Sequence, residues 1–194
     1  MILPRRLWLA GAAALTATGA LAGCKASPPA DLYTLAATTG AERHSRKLGI
    51  ELHRVGVAGY LDRPEIVRST SDFRLHLNDA DHWGEPLGGM LDRVMVENLV
   101  RRLPDAAVFA ESGAISTRPD LVLEIDIQRL DADAEGRMAL LAQVALRPDG
   151  KTATASTRAR TVPITAGTTQ AHVAAMSAAL GLLADDIAAQ IAAM

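Results

Sequence analysis

The sequence predicts a single α+β domain, an antiparallel or mixed sheet with helices packed on one face. Three observations predict it. Apolar and polar residues alternate through Leu121–Gln128 and again through Arg137–Arg147. Two segments, one after Pro86 and one that Thr168 or Thr169 can cap, instead carry apolar residues at three- and four-residue spacing. The order of segments is strands, helix, strands, helix.

The chain opens with Arg5-Arg6 followed by an uncharged stretch from Leu7 to Gly23, the charged and apolar regions of an export signal. A membrane-spanning helix is the competing reading, but the stretch is short, rich in Ala and Gly, and ends in Leu21-Ala22-Gly23-Cys24. Those four residues resemble a bacterial lipobox. Small residues at 22 and 23 let the backbone enter a peptidase, and the thiol of Cys24 is the nucleophile that accepts diacylglycerol. Residues 1–23 are therefore expected to be a lipoprotein signal peptide. Residues 24–30 follow as a lipidated tether, stiffened by Pro28-Pro29 and reaching about 20 Å at roughly 3.3 Å per residue. The folded domain is expected over 31–194. In lipoproteins of this kind an Asp after the cysteine retains the protein in the inner membrane. Here Lys25 stands there, which favours a lipid-anchored, periplasm-facing place at the outer membrane.

Short strands are expected first, at Asp31–Leu35, over Leu48–Val57, around Ile66-Val67, and at Phe73–Leu77, where Phe73, Leu75 and Leu77 point one way. Asp79, Asp81 and His82 read as a polar turn before Trp83. A helix opens at Pro86, whose fixed φ suits a first helical position, with Glu85 beside the positive end of its dipole, and it stops before Pro104. Leu87, Leu91, Val94, Met95, Leu99 and Leu103 form its core face, while Arg93, Glu97 and Arg101 form an i, i+4 ladder on the surface. Next come a long strand through Leu121–Gln128, an acidic loop from Asp131 to Gly136 and a strand over Arg137–Arg147. A turn at Pro148-Asp149-Gly150-Lys151 leads to a threonine-rich strand over Thr152–Ile164, completing a meander. In the last helix, Val173, Met176, Leu180, Leu183, Ile187 and Ile191 fall within about 80° of arc at 100° per residue, opposite Asp185.

Composition excludes several functions. The 194 residues hold 22 acidic and 20 basic side chains, 3% aromatic residues and one cysteine. One cysteine allows no disulfide and no cysteine-rich metal site. A net charge of −2 offers no basic field to neutralise phosphates, so nucleic acid is not an expected partner. Loss of residues 1–23 would remove Arg5 and Arg6 and leave 18 basic against 22 acidic residues, a net charge of −4. Anchoring then falls to the acyl chains, without help from a polybasic patch.

No catalytic motif is present: there is no Gly-x-Ser-x-Gly elbow, phosphate loop, dinucleotide fingerprint or His-Glu-x-x-His. The histidines show no metal-ligand spacing, and Ser69, Ser71 and Asp72 near His76 give no nucleophile–base pair. The expectation is a non-enzyme without metal or cofactor.

Two turn segments stand out instead, Tyr60-Leu61-Asp62-Arg63-Pro64-Glu65-Ile66-Val67 and His82-Trp83-Gly84-Glu85-Pro86-Leu87. Pro64 and Pro86 fix turn geometry, and Tyr60 and Trp83 suit the edge of a core. Arg63 and Glu85 are placed to pair. Tyr60, Arg63, Trp83 and Glu85 are also the residue types of a partner or subunit interface.

With Tyr33-Thr34-Leu35 soon after the lipobox, these segments resemble the ABC-type transport auxiliary lipoproteins, the PqiC-like or YmbA-like family; Gly84 departs from the family's more frequent Ala. The resemblance runs from Cys24 to the final helix. It implies an outer-membrane lipoprotein that works with an MCE-domain protein and its integral inner-membrane partner in moving phospholipid between membranes. It also implies self-association, in a ring that would suit a tubular partner. The alternative is a structural assembly lipoprotein that serves a β-barrel or secretin.

Overall fold

The computed structural model describes residues 30–71, 74–114 and 117–194. The lipobox, Cys24, residues 1–29 and Phe73 lie outside them, so the anchor and most of the tether have no structural account.

The long strand β7 (Leu121–Ala132) organises the sheet. One of its edges pairs antiparallel with β8 (Arg137–Pro148), from Leu121 opposite Pro148 to Ala132 opposite Met138. Its other edge takes three shorter strands in turn, all parallel: β2 (Gly49–Leu52), β3 (Gly56–Val57) and β4 (Glu65–Ser71). The β2 strand carries β6 (Ala107–Ala110) on its far side. β4 carries β5 (Arg74–Trp83), and β5 carries β1 (Asp31–Tyr33). Beyond β8, β9 (Thr154–Pro163) closes the meander. The result is a mixed sheet. The two hairpin turns work because Gly136 and Gly150 take positive φ, +72° and +67°.

The helices α1 (Leu87–Arg102) and α2 (Thr169–Ala192) pack on each other and cover the apolar face of this sheet. All the expected core positions of both helices are buried, together with Leu121, Leu123, Ile125 and Ile127 of β7 and Met138, Leu140, Val144 and Leu146 of β8. Thr168 caps α2 by accepting from the Ala171 amide. Among the described residues, α2 is the one helix that by length and hydropathy would fit a membrane span, yet 67% of its apolar window is buried inside the domain.

Several expectations are corrected. Leu48–Val57 is broken into β2 and β3 because the Val55 amide turns to donate to the Asp92 carboxylate of α1 at 2.7 Å. Asp79–His82 is strand, not turn: β1 and β4 pair with β5 there, and the buried Asp81 carboxylate accepts from the Thr169 hydroxyl at the start of α2. Leu75 is 42% exposed rather than core-facing, since it pairs with Thr70, past Ser69 where β4 pairs with the end of β7. Pro86 is the N-cap residue, with ψ 130°, and α1 starts one residue later. In the surface ladder Glu97 pairs with Arg101, whereas Arg93 pairs with Glu85 at 2.6 Å. Asp131 is the fully buried end of β7, not loop. The strand Ala107–Ala110 is not anticipated at all.

One buried cation joins three segments. Arg102, in the last turn of α1, is 0% exposed. Its guanidinium donates to the Asp185 carboxylate of α2 at 2.6 Å, to the carbonyls of Thr38, Thr39 and Asn98 at 3.1, 3.2 and 3.1 Å, and to the Asn98 side chain at 3.0 Å. The segment after β1 thus runs as a strap over the helix pair. Its amides are met by Met90 Sδ at Leu35, Ser177 Oγ at Ala36, Asn98 Oδ1 at Thr38 and the Arg102 carbonyl at Arg43. Gly40 is required here, because a Cβ would lie 2.4 Å from the guanidinium carbon.

Replacing Arg102 with Ala strands Asp185 and the strap carbonyls, and is expected to lower unfolding free energy by about 3–5 kcal/mol. Arg101→Ala, at an exposed pair, should cost under about 1 kcal/mol in the same urea titration. His172, in the first turn of α2, is buried; desolvation, reinforced by Arg68, pushes its imidazole down to about 4. The unfolded chain therefore binds the proton more tightly, so stability is full above about pH 6.5 and is lost as pH falls towards 4, by up to about 1.4 kcal/mol per unit. Denaturation at pH 7 and pH 5 should show that loss in the wild type and a smaller one in His172→Asn.

Candidate functional site

The two motif segments meet. The turn between β3 and β4 is closed by hydrogen bonds from the Leu61 amide to the Ala58 carbonyl at 2.8 Å and from the Arg63 amide to the Leu61 carbonyl at 2.9 Å. The Pro64 carbonyl then accepts from the Trp83 amide at 2.8 Å, and the Gly84 amide donates to Tyr33 at 2.9 Å. These bonds bring the end of β5 and the start of α1 against the turn. Between them opens a cleft of about 390 Å³, lined by Asp62, Arg63, Pro64, Trp83, Glu85, Pro86 and Leu87.

The lining is sorted by chemistry. Trp83, 7% exposed, and the buried Leu87 make an apolar floor, with Pro64 and Pro86 as rigid walls. Asp62, Arg63 and Glu85 supply charge around it. Arg63 does not pair with Glu85 as expected. Its Nε lies 3.3 Å from Glu65, outside hydrogen-bond alignment, so that this buried N–H has no hydrogen-bond partner among the described residues. Glu85 is instead drawn to Arg93, which also reaches Thr34 at 3.2 Å and so ties the β5–α1 connection to β1.

Tyr60 lies outside this cleft. Its hydroxyl donates to Asp131 Oδ2 at 3.0 Å, while Arg129 Nε donates to Asp131 Oδ1 at 2.8 Å. Burial first, and then the charge of Asp131, push the Tyr60 hydroxyl well above its ordinary pKa, so it stays a donor. Its role is structural: it satisfies a buried carboxylate across the sheet.

A second cavity of about 390 Å³ shares Asp62 and Pro86 with the cleft and continues it past Arg54, Val55, Gly56, Val57, Gly88 and Gly89. Sequence reasoning missed Asp62 and this glycine pair as lining residues. The available signal was two adjacent glycines in a first helical turn, each about 1 kcal/mol worse than Ala in a helix interior. Packing does not require them, since a Cβ at either would meet nothing within 4 Å. Among the described residues there is no group of three or more His, Cys, Asp or Glu that would hold a metal ion.

Residues 33–188 match the family of ABC-type transport auxiliary lipoprotein components. The chain belongs to this family. The match spans β1 to the last turns of α2 and bears out the resemblance seen in the two motif segments. Two crystal structures share the fold. One, of an uncharacterized protein, has a TM-score of 0.70 at 18% identity and covers 84% of this chain and 99% of its own. The other, a DUF330-family protein from Xanthomonas campestris, has a TM-score of 0.68 at 18% identity, covering 82% and 93%. No curated protein matches in sequence.

Tyr60→Phe removes a donor to buried Asp131 and is expected to cost about 1–3 kcal/mol. Asp62→Asn, on the open rim, should stay within about 0.5 kcal/mol of wild type. Thermal unfolding of the two variants side by side checks both.

Proposed function

We propose that this lipoprotein is a docking subunit of an intermembrane phospholipid transport system, and that the Trp83 cleft receives an MCE-domain partner. The observation that carries the reading is the cleft itself. Both distinctive segments converge on one apolar floor ringed by charge, beside a glycine pair that packing does not demand, which is how a local rule is broken where binding needs bare surface. Family membership supports the transport role, and the resemblance supplies the identity of the partner.

The polarity of β1 supports the orientation. Asp31 aligns with Asp81 and Tyr33 with Trp83, so β1 runs parallel to β5 and towards the cleft. A tether lipidated at Cys24 and reaching about 20 Å would hold the start of β1 near the outer membrane, with β1 running on towards the cleft. The domain then docks a periplasm-spanning partner and does not itself bridge the envelope. Copies arranged as a ring would present several clefts to one tube.

Affinity capture of the mature lipoprotein from envelope extract is expected to bring down an MCE-domain protein together with its integral membrane partner. Charge reversal on the rim, Arg63→Glu or Asp62→Lys, should cut that capture at least tenfold, while Arg118→Glu leaves it unchanged. Undiminished capture by both rim variants would refute the cleft as the docking site. A β-barrel or secretin recovered in place of the MCE protein would favour an assembly role.

A further inference from the structure

The first half of β5 and the start of α2 border a cavity of about 530 Å³, lined by Arg68, His76, Leu77, Ala132, Gly136, Ile164, Ala166, Gly167 and His172. We propose that this cavity receives the phosphorylated headgroup of a phospholipid in the membrane that anchors the protein, one whose headgroup also carries an N–H or O–H donor.

Three observations carry this. The first is a cation with donors to spare. Among the described residues, Arg68 spends one N–H, on the Gly167 carbonyl at 2.5 Å, out of the five that a guanidinium offers. Gly167 directly precedes the Thr168 cap, so the guanidinium sits by the positive end of the 24-residue helix α2. Of the described carboxylates nearby, Asp131 bonds Tyr60 and Arg129, while Asp133 and Glu135 pair with Arg137 at 2.9 and 3.2 Å. The combination suits a phosphate.

The second is a buried atom without a partner. His172 lines the cavity, is 3% exposed, and its Nε2 makes no hydrogen bond among the described residues. Burial keeps the ring neutral, and a hydrogen bond with the Val67 backbone occupies the other nitrogen. That tautomer leaves Nε2 as an acceptor, which calls for a hydroxyl or ammonium. An ethanolamine or glycerol headgroup offers a phosphate and a donor a few bonds apart. A choline headgroup offers only the phosphate.

The third is place. The start of β1, where the tether ends, is level with Asp81, and Asp81 is bonded to Thr169, three residues before His172. Leu75, 42% exposed, stands next to His76 on β5 and gives an apolar side chain for a lipid surface.

The proposal rests on lipid anchoring at Cys24, and the experiment separates the two. The mature lipoprotein is placed in vesicles of equal phosphatidylethanolamine and phosphatidylcholine, with a photo-crosslinking residue at position 76 or, as a distal control, at position 149. Flotation with the vesicles is scored first; failure there removes the anchor and this proposal with it. With flotation established, position 76 is expected to yield lipid adducts favouring phosphatidylethanolamine at least fivefold, and position 149 none. Arg68→Gln should reduce the adduct at least fivefold. Equal yields from the two lipids in the wild-type protein, or adducts undiminished by Arg68→Gln, would overturn the headgroup site while leaving anchoring intact. Loss of the adduct in millimolar inorganic phosphate would make it a site for free phosphate and overturn the lipid source.

Discussion

A single buried guanidinium holds the helical layer together. Arg102 faces the partly buried carboxylate of Asp185, and its remaining donors go to carbonyls of the strap and of α1. A charge with no water around it is tolerable only when its donors are matched, and here acceptors from three segments match them. Sterics point the same way. Gly40 lies against the guanidinium plane, and a Cβ on Gly181 of α2 would sit 2.0 Å from the Thr38 hydroxyl. The strap therefore lies close in the groove between α1 and α2. Since the strap continues directly from β1, the part of the chain nearest the tether is locked onto the helix pair.

The sheet distributes this geometry. Because β7 accepts β2, β3 and β4 one after another along one edge, the three strands are stacked along its length. β4 and β5 then give the domain two functional ends. At one, the β3–β4 turn and the head of α1 make the Trp83 cleft. At the other, Arg68 of β4 and His76 and Leu77 of β5 meet the start of α2 around the Arg68–His172 cavity. About six residues of β5, from Leu77 to Trp83, at 3.3 Å each put roughly 20 Å between the two sites.

What could be read from the sequence follows from what leaves a periodic trace. The α1 and α2 stripes and the β7–β8–β9 meander are repeated one-sided burials, and the structure places them as expected. Polar groups satisfied from far along the chain leave no such trace. Asp131 reads as loop because Tyr60, 71 residues away, is what makes it a core residue. Asp81 reads as turn because Thr169 lies 88 residues on, and Arg102 reads as an ordinary basic C-terminus of a helix. The same limit shaped the site. Trp83, Arg63, Pro64, Glu85 and Pro86 are visible as unusual residues in two turns, and the fold brings them together. Tyr60 shares the motif but points elsewhere, and Arg63 and Glu85 each find a nearer partner in Glu65 and Arg93.

The most direct test of the Arg102 clamp is amide hydrogen exchange of the mature lipoprotein, read at Thr38 and Arg43, whose N–H groups donate to Asn98 and to the Arg102 carbonyl. The structure predicts protection within about tenfold of the β7 amides, and its loss by at least a hundredfold in Arg102→Lys, which keeps the charge but not the planar fork of donors. Exchange of the two amides at open-loop rates in the wild-type protein, with β7 protected, would contradict the account.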